Sequence, residues 1–269
     1  MLGKAEYLNP GGSVKDRAAL EIVRAALDGG QLGEGKVLLD STSGNTGVAY
    51  AMIGAALGVD VELVMPENVS AARKSIISAY GARIVYSDPL EGSDGAIRLA
   101  KRMRDSDSEG RYWYADQYGN PNNSGAHERT TGPEIAEQTS GAVTHFVAAL
   151  GTSGSVMGAG RALRRLVPGV KIYSVEPDAA FHGLEGMKHL ASSIVPAIYN
   201  DEVLHGTRFV STDAGWDMAE FLAQNAGITV GYSAGAAVAA ALELGQSLKE
   251  GVIVCLLCDN ADRYNEQPS

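Results

Sequence analysis

A chain of 269 residues is long enough for one large or two modest domains with a substantial buried core. It is 45% apolar and 20% charged, as ordinary globular proteins are, and its formal charge of -10, from 22 basic against 32 acidic residues, opposes binding to phosphate backbones or anionic membranes. The opening "MLGKAEYLNP" has no apolar run of signal-peptide length, and no segment reaches the ~20 apolar residues that span a bilayer, so the expectation is a cytoplasmic protein with neither nucleic-acid nor membrane partners.

In chain order, the first feature is "EYLNPGGSVKDRAAL", residues 6 to 20. Asn9 to Gly12 predicts a turn, Ser13 an N-cap with Asp16 completing a capping box, and "RAALEIVRAAL" an amphipathic helix. Lys15 falls in the first helical turn. There the helix dipole opposes a cation by ~0.3 to 1 kcal/mol and favours a neutral, nucleophilic amine. A Schiff-base lysine needs that environment; a solvated surface lysine is the plainer reading of this stretch by itself.

The strand "KVLLD" follows, then "STSGNTG" at 41 to 47 and the helix "VAYAMIGAALG". Thr42, Ser43, Gly44, Asn45 and Thr46 leave backbone amides and side-chain donors at a helix N-terminus, an arrangement that suits a carboxylate or phosphate and exceeds what one helix cap requires. Short apolar runs then alternate with helical patterns through "VDVELVMP", "SAARKSIISAYG", "ARIVYS" and "GAIRLAKRMRD". A polar stretch, "YWYADQYGNPNNSGAHER" (112 to 129), reads as irregular and separates this series from a second.

The second series opens with "VTHFVAAL" and the turn "GTSGS", Gly151 to Ser155, ahead of a helix. Its spacing is neither that of a nucleoside-triphosphate loop nor of a dinucleotide fingerprint, which leaves a smaller phosphate cradle. Arg161, Arg164, Arg165 and Lys171 fall at helical spacing and read as a solvated face. After "VKIYSVEP" a further irregular stretch runs from 178 to 212. "GYSAGAA" (231 to 237) places Ser233 at the head of an Ala-rich helix; it resembles part of a serine-hydrolase elbow, but no histidine follows Ser233 and a triad is excluded. In "GVIVCLLC", Cys255 and Cys258 project to opposite faces of a strand and read as core thiols, without a shared metal or redox site. Continuous apolar strands separated by helices predict α/β architecture with parallel sheets covered on both faces, and ligands at the strand-to-helix turns.

Together, "NPGGSVKDRAA", "TSGNTG", "GTSGS" and "GYSAGAA", in this order over nearly the whole chain, resemble the cysteine synthase family of fold type II pyridoxal phosphate enzymes. "MPENVSAARKSIISAYGARIVYS" and "QYGNPNN" are similar to its smaller domain, with the B-type members nearest. The resemblance implies two parallel-sheet domains with the cofactor between them: a smaller mobile one over residues 16–126, and a larger cofactor-binding one from 1–15 and 127–269. It also implies a homodimer and, in relatives, a further N-terminal segment ahead of the region matched here.

Residue by residue, the resemblance implies that Lys15 carries pyridoxal 5'-phosphate, Asn45 bonds its ring oxygen, Gly151, Thr152, Ser153, Gly154 and Ser155 cradle its phosphate, and Ser233 faces its ring nitrogen. Thr42, Ser43, Gly44, Thr46 and Gln117 match the substrate pocket; in the phosphate cradle the hydroxyls at 153 and 155 are a departure, "GTGGT" being commoner in the family than the "GTSGS" found here. A neutral hydroxyl at the ring nitrogen gives a weaker electron sink than an aspartate, which favours β-replacement over transamination. The expected reaction is therefore formation of cysteine from an O-activated serine and a sulfur donor. Lys188, with His189, is either a basic residue over the pocket that favours O-phosphoserine or a solvent-exposed loop step. A cystathionine β-synthase, a serine or threonine dehydratase, and a non-catalytic relic are the competing expectations.

Overall fold

The computed structural model describes residues 1–42 and 44–264, apart from the side chain of Arg263. In chain order, β1 (Leu2–Ala5) leads into α1 (Lys15–Asp28), β2 (Val37–Ser41), α2 (Asn45–Leu57), β3 (Asp60–Pro66), α3 (Ala71–Ala79), β4 (Arg83–Ser87), α4 (Gly92–Asp105), β5 (Tyr112–Tyr114) and α5 (Pro121–Arg129). Then come α6 (Thr131–Gln138), β6 (His145–Ala149), α7 (Gly154–Leu166), β7 (Lys171–Pro177), β8 (Gly206–Val210), α8 (Thr212–Ala226), α9 (Tyr232–Gln246) and β9 (Ile253–Leu257).

The strands form two wholly parallel sheets, one of four strands ordered β4-β3-β2-β5 and one of five ordered β1-β9-β6-β7-β8. Period-two alternation sends successive side chains to opposite faces, and both faces are covered. In β9, Ile253, Cys255 and Leu257 pack beneath the Ala-rich α9, while Val254 and Leu256 join Phe146, Met157 and Leu163 on the other side. In the smaller sheet, Leu38 and Leu63 pack with Tyr50 and Ile53 of α2, and Leu39 and Val64 face Ala96 and Ala100 of α4. This is the α/β, fold type II arrangement expected from the sequence.

The structure departs from the sequence reading in several places. The polar stretch 112 to 129 is ordered: "YWY" is the edge strand β5, and Pro121 opens α5 behind Asn120, whose side chain accepts from Asn122 N at 3.0 Å. Both elements escape a hydrophobic-period reading, because one is three residues long and the other presents Asn, His, Glu and Arg. α8 and β1 were likewise not anticipated, nor was β8, an edge strand paired with β7 inside the stretch 178 to 212 that reads as irregular. The capping box does not form. Val14 precedes α1 in helical conformation, and the Asp16 carboxylate accepts from Gly11 N inside the preceding turn. Among the described residues no helix is long and apolar enough to cross a membrane.

Candidate active site

The carboxyl ends of strands from both sheets converge on one cavity. Lys15 reaches it from the start of α1, Asn45 and Thr46 from the start of α2, Ser153 from the β6–α7 turn, and Ser233 from the start of α9. Thr42, Gly44, Gln117, Gly151, Thr152, Ser155 and Lys188 line the same space, as does Cys258. Gly154 completes its turn without lining the cavity, and Ser43 lies outside the described residues.

The turn after β2 is built from its own hydroxyls. Thr42 Oγ1 accepts from Gly44 N at 3.1 Å and from Gly47 N at 3.2 Å, the latter amide being shared with the Gly44 carbonyl at 2.9 Å. Thr46 Oγ1 donates to Gln117 Oε1 at 2.8 Å, and Gln117 Nε2 donates back to Ser41 O. Beneath them lies the fully buried Asp40, accepting from Ser41 N at 2.8 Å and Gln117 N at 3.1 Å. Burial outweighs those two bonds and pushes its carboxyl up to about 7, which lowers the negative charge under the turn.

The β6–α7 turn is set by close backbone approach. A Cβ at Gly151 would run into the Gly186 carbonyl, and one at Gly154 into the Asn123 amide, so neither position admits a side chain without rearrangement. Asn123 Nδ2 ties this turn to the other sheet by donating to Gln117 O at 2.6 Å and Thr152 Oγ1 at 3.1 Å. Ser153 is left-handed, at φ 69°, and its buried Oγ has no hydrogen-bond partner among the described residues.

Asp259, directly after the last strand, is the centre the sequence reading missed. Its Oδ2 accepts from Asn45 Nδ2 at 2.5 Å and from the Tyr264 hydroxyl at 2.6 Å, its backbone bridges to Ser13, and its carbonyl accepts from Gly231 N at 3.1 Å. One residue therefore joins the turns that carry Lys15, Asn45 and Ser233. Burial raises its carboxyl against the hydrogen bonds from Tyr264 and Asn45. Its position at a strand's carboxyl end was the available signal. Arg73 and Glu185 were also missed; they pair across the cavity mouth, with the Arg73 guanidinium 4.9 Å from the centroid of the Tyr264 ring.

Two sequence expectations change in detail. Cys255 and Cys258 do lie in different core clusters, but Cys258 stands past the strand and, besides packing against the core, lines the cavity. Burial pushes both thiols up to about 12, leaving them protonated near neutral pH. The basic face on α7 is exposed at Arg164 and Arg165, and it is also tied down: Arg161 and Arg165 both pair with Glu128, and Arg164 donates to the Glu202 backbone carbonyl. Among the described residues no cluster of His, Cys, Asp and Glu is placed to hold a metal ion.

What the cavity lacks is polar partners for its own wall. Asn45 Oδ1, Ser153 Oγ and Asp259 Oδ1 are all buried without a hydrogen-bond partner among the described residues, and unsatisfied groups of this kind call for a ligand or water. A helix N-terminus, side-chain-free backbone at Gly151 and Gly154, and a lysine on the same cavity suit a group carrying a phosphate, ring heteroatoms and a carbonyl carbon. Pyridoxal 5'-phosphate has all three.

The comparisons with known proteins agree. Residues 1–259 match the family model described as pyridoxal-phosphate dependent enzyme, and the chain belongs to that family. Within it, the chain falls among the cysteine synthases. It is 49% identical over 265 residues to cysteine synthase of Aquifex aeolicus, covering 97% of this chain and 81% of that one, and 41% identical to cysteine synthase B of Escherichia coli, covering 97% and 85%. The crystal structure of cysteine synthase from Entamoeba histolytica superposes with a TM-score of 0.92 at 35% identity, covering 98% of this chain and 80% of that one.

Proposed function

We propose that this enzyme forms L-cysteine by β-replacement, from an O-activated serine (O-acetylserine or O-phosphoserine) and a sulfur donor such as sulfide. The observation that carries the reading is Lys15 sharing one cavity with Asn45, Ser233 and the 151–155 turn. When bound, pyridoxal 5'-phosphate supplies the electron sink that acidifies Cα–H of an attached amino acid and lets a group leave from Cβ. The residues do the rest. The N-terminal amides of α7, with Thr152, Ser153 and Ser155, would hold the phosphate; Asn45 would serve the ring oxygen and Ser233 the ring nitrogen. Lys15 Nζ would hold the cofactor through its carbonyl carbon and would serve as the base for the substrate's Cα proton. Thr42, Ser43, Gly44, Thr46 and Gln117 receive the substrate carboxylate.

On this reading residues 16–126 form a mobile unit that closes over a larger unit built from 1–15 and 127–269, excluding water from the reactive centre. The enzyme acts in the cytoplasm as a homodimer. Purified protein should be yellow, and Lys15→Ala should lose both colour and turnover. Parallel assays with sulfide, with homocysteine and without a nucleophile separate cysteine formation from cystathionine formation and from dehydration. A colourless protein that cannot be reconstituted with pyridoxal phosphate would overturn the proposal.

A further inference from the structure

Lys188 and Asp94 face each other at the mouth of the cavity. Lys188 stands on the loop after β7, its amide donating to Leu150 O at 2.8 Å, and its side chain is only 5% exposed. It is therefore not the solvated loop step that the sequence also allowed. Its Nζ lies 2.7 Å from Asp94 Oδ1 and 5.2 Å from the centroid of the Tyr118 ring. Asp94 comes from α4, against the other sheet, and its second oxygen accepts from Ile194 N at 3.0 Å. The carboxylate is thus held on both sides by the loop it crosses to meet.

A buried cation beside a substrate pocket attracts an anion, and here the protein supplies that anion itself. A dianionic phosphate on the substrate must either displace Asp94 from Lys188 or lie against an uncompensated carboxylate, and both are costly where water is scarce. A neutral ester meets a neutral pair at no such cost. We propose that Asp94 is a specificity-determining residue: by keeping Lys188 in a closed ion pair, it selects an activated serine whose leaving group is uncharged while esterified over a phosphorylated one. The inference rests on the β-replacement reading, and it makes the cation of Lys188 available to phosphate only when Asp94 is neutralised.

The test uses the cofactor-loaded enzyme and two readouts: calorimetric titration with inorganic phosphate, and kcat/KM for O-phosphoserine against O-acetylserine. Asp94→Asn keeps an acceptor for Ile194 N–H while removing the charge. It should raise phosphate affinity by about tenfold or more, the scale of one charged hydrogen bond, and move the kcat/KM ratio toward O-phosphoserine by a similar factor. Adding Lys188→Gln to this variant should remove both gains. Asp94→Ser, smaller and also able to accept, repeats the measurement should the asparagine variant fold poorly. Unchanged phosphate affinity in the neutral variants, a gain that survives loss of Lys188, or a wild-type enzyme that prefers O-phosphoserine overturns the proposal. If the wild type turns over neither ester, the β-replacement reading fails, and the phosphate titration still decides whether Asp94 masks Lys188.

Discussion

Ser153 occupies a backbone conformation that an L-residue adopts at a cost of ~1 to 2 kcal/mol and glycine adopts freely, at the point where the chain turns from β6 into α7. Its buried hydroxyl has no partner among the described residues. Ser153→Gly should therefore raise stability by about 1 kcal/mol, read by thermal or denaturant unfolding of the cofactor-free protein, while weakening cofactor binding through loss of one donor. Unchanged stability together with unchanged cofactor affinity would show that the hydroxyl has no ligand and the turn no strain. Lys15, Asn45 and Ser233 were legible in the sequence because each is an unusual residue type at a strand-to-helix turn marked by glycines. Asp259 was not, because its segment "CDN" has no such glycine frame and its partners Asn45 and Ser13 are brought to it only by the fold.

At the scale of elements, β1 and α1 are fixed to α6 by a network that determines where Lys15 stands. Arg17 binds Glu6 at 2.6 and 3.0 Å and Glu134 at 2.6 and 2.7 Å, and Lys4 adds a second cation to Glu134 at 2.5 Å. Burial alone would raise Glu134, but hydrogen bonds and charge from Arg17 and Lys4 bring it down to about 2, below the ~4.3 of an unfolded chain. The folded state thus binds fewer protons, and the network's contribution is complete above about pH 4.5 and is lost as the pH falls toward 2. Arg17→Ala leaves Glu6, 1% exposed, without its main counter-charge and should cost roughly 3 to 5 kcal/mol near neutrality. It should also flatten the acid limb of the Tm profile; acid limbs of equal slope in wild type and variant would show that the network does not act through Glu134. The same elements mark the limits of sequence reading. Buried parallel strands such as "HFVAA" and "VLLDS" announce themselves as apolar runs, whereas β1 carries a lysine that finds its glutamate only in three dimensions.

Across the whole molecule, the two sheets are joined at the mouth of the cavity by ion pairs of opposite sense. Arg73 beside the four-stranded sheet meets Glu185 on the loop beyond β7, and Asp94 meets Lys188 of the same loop. Glu185 is 43% exposed but Arg73 only 3%, so Glu185→Gln, which keeps an acceptor for the buried guanidinium, removes the charge of the pair without stripping Arg73 of its hydrogen bond. Glu185→Gln should leave the unfolding midpoint within a few degrees of wild type while speeding hydrogen exchange in α3, with exchange in β6 and β9 unaffected. Uniform exchange rates in both proteins would remove this pair from any role in holding the cleft. The pairing of β1 with β9, Leu2 opposite Val254, has a consequence for the order of events in the living chain. Synthesis delivers Lys15 early and its enclosing strand late, so the nucleophilic amine exists long before Asp259 arrives to organise its surroundings. Contacts so distant along the chain close slowly. The catalytic chamber therefore cannot close before Asp259 has been made, and until then a nascent polypeptide has no means of capturing its aldehyde cofactor in productive register.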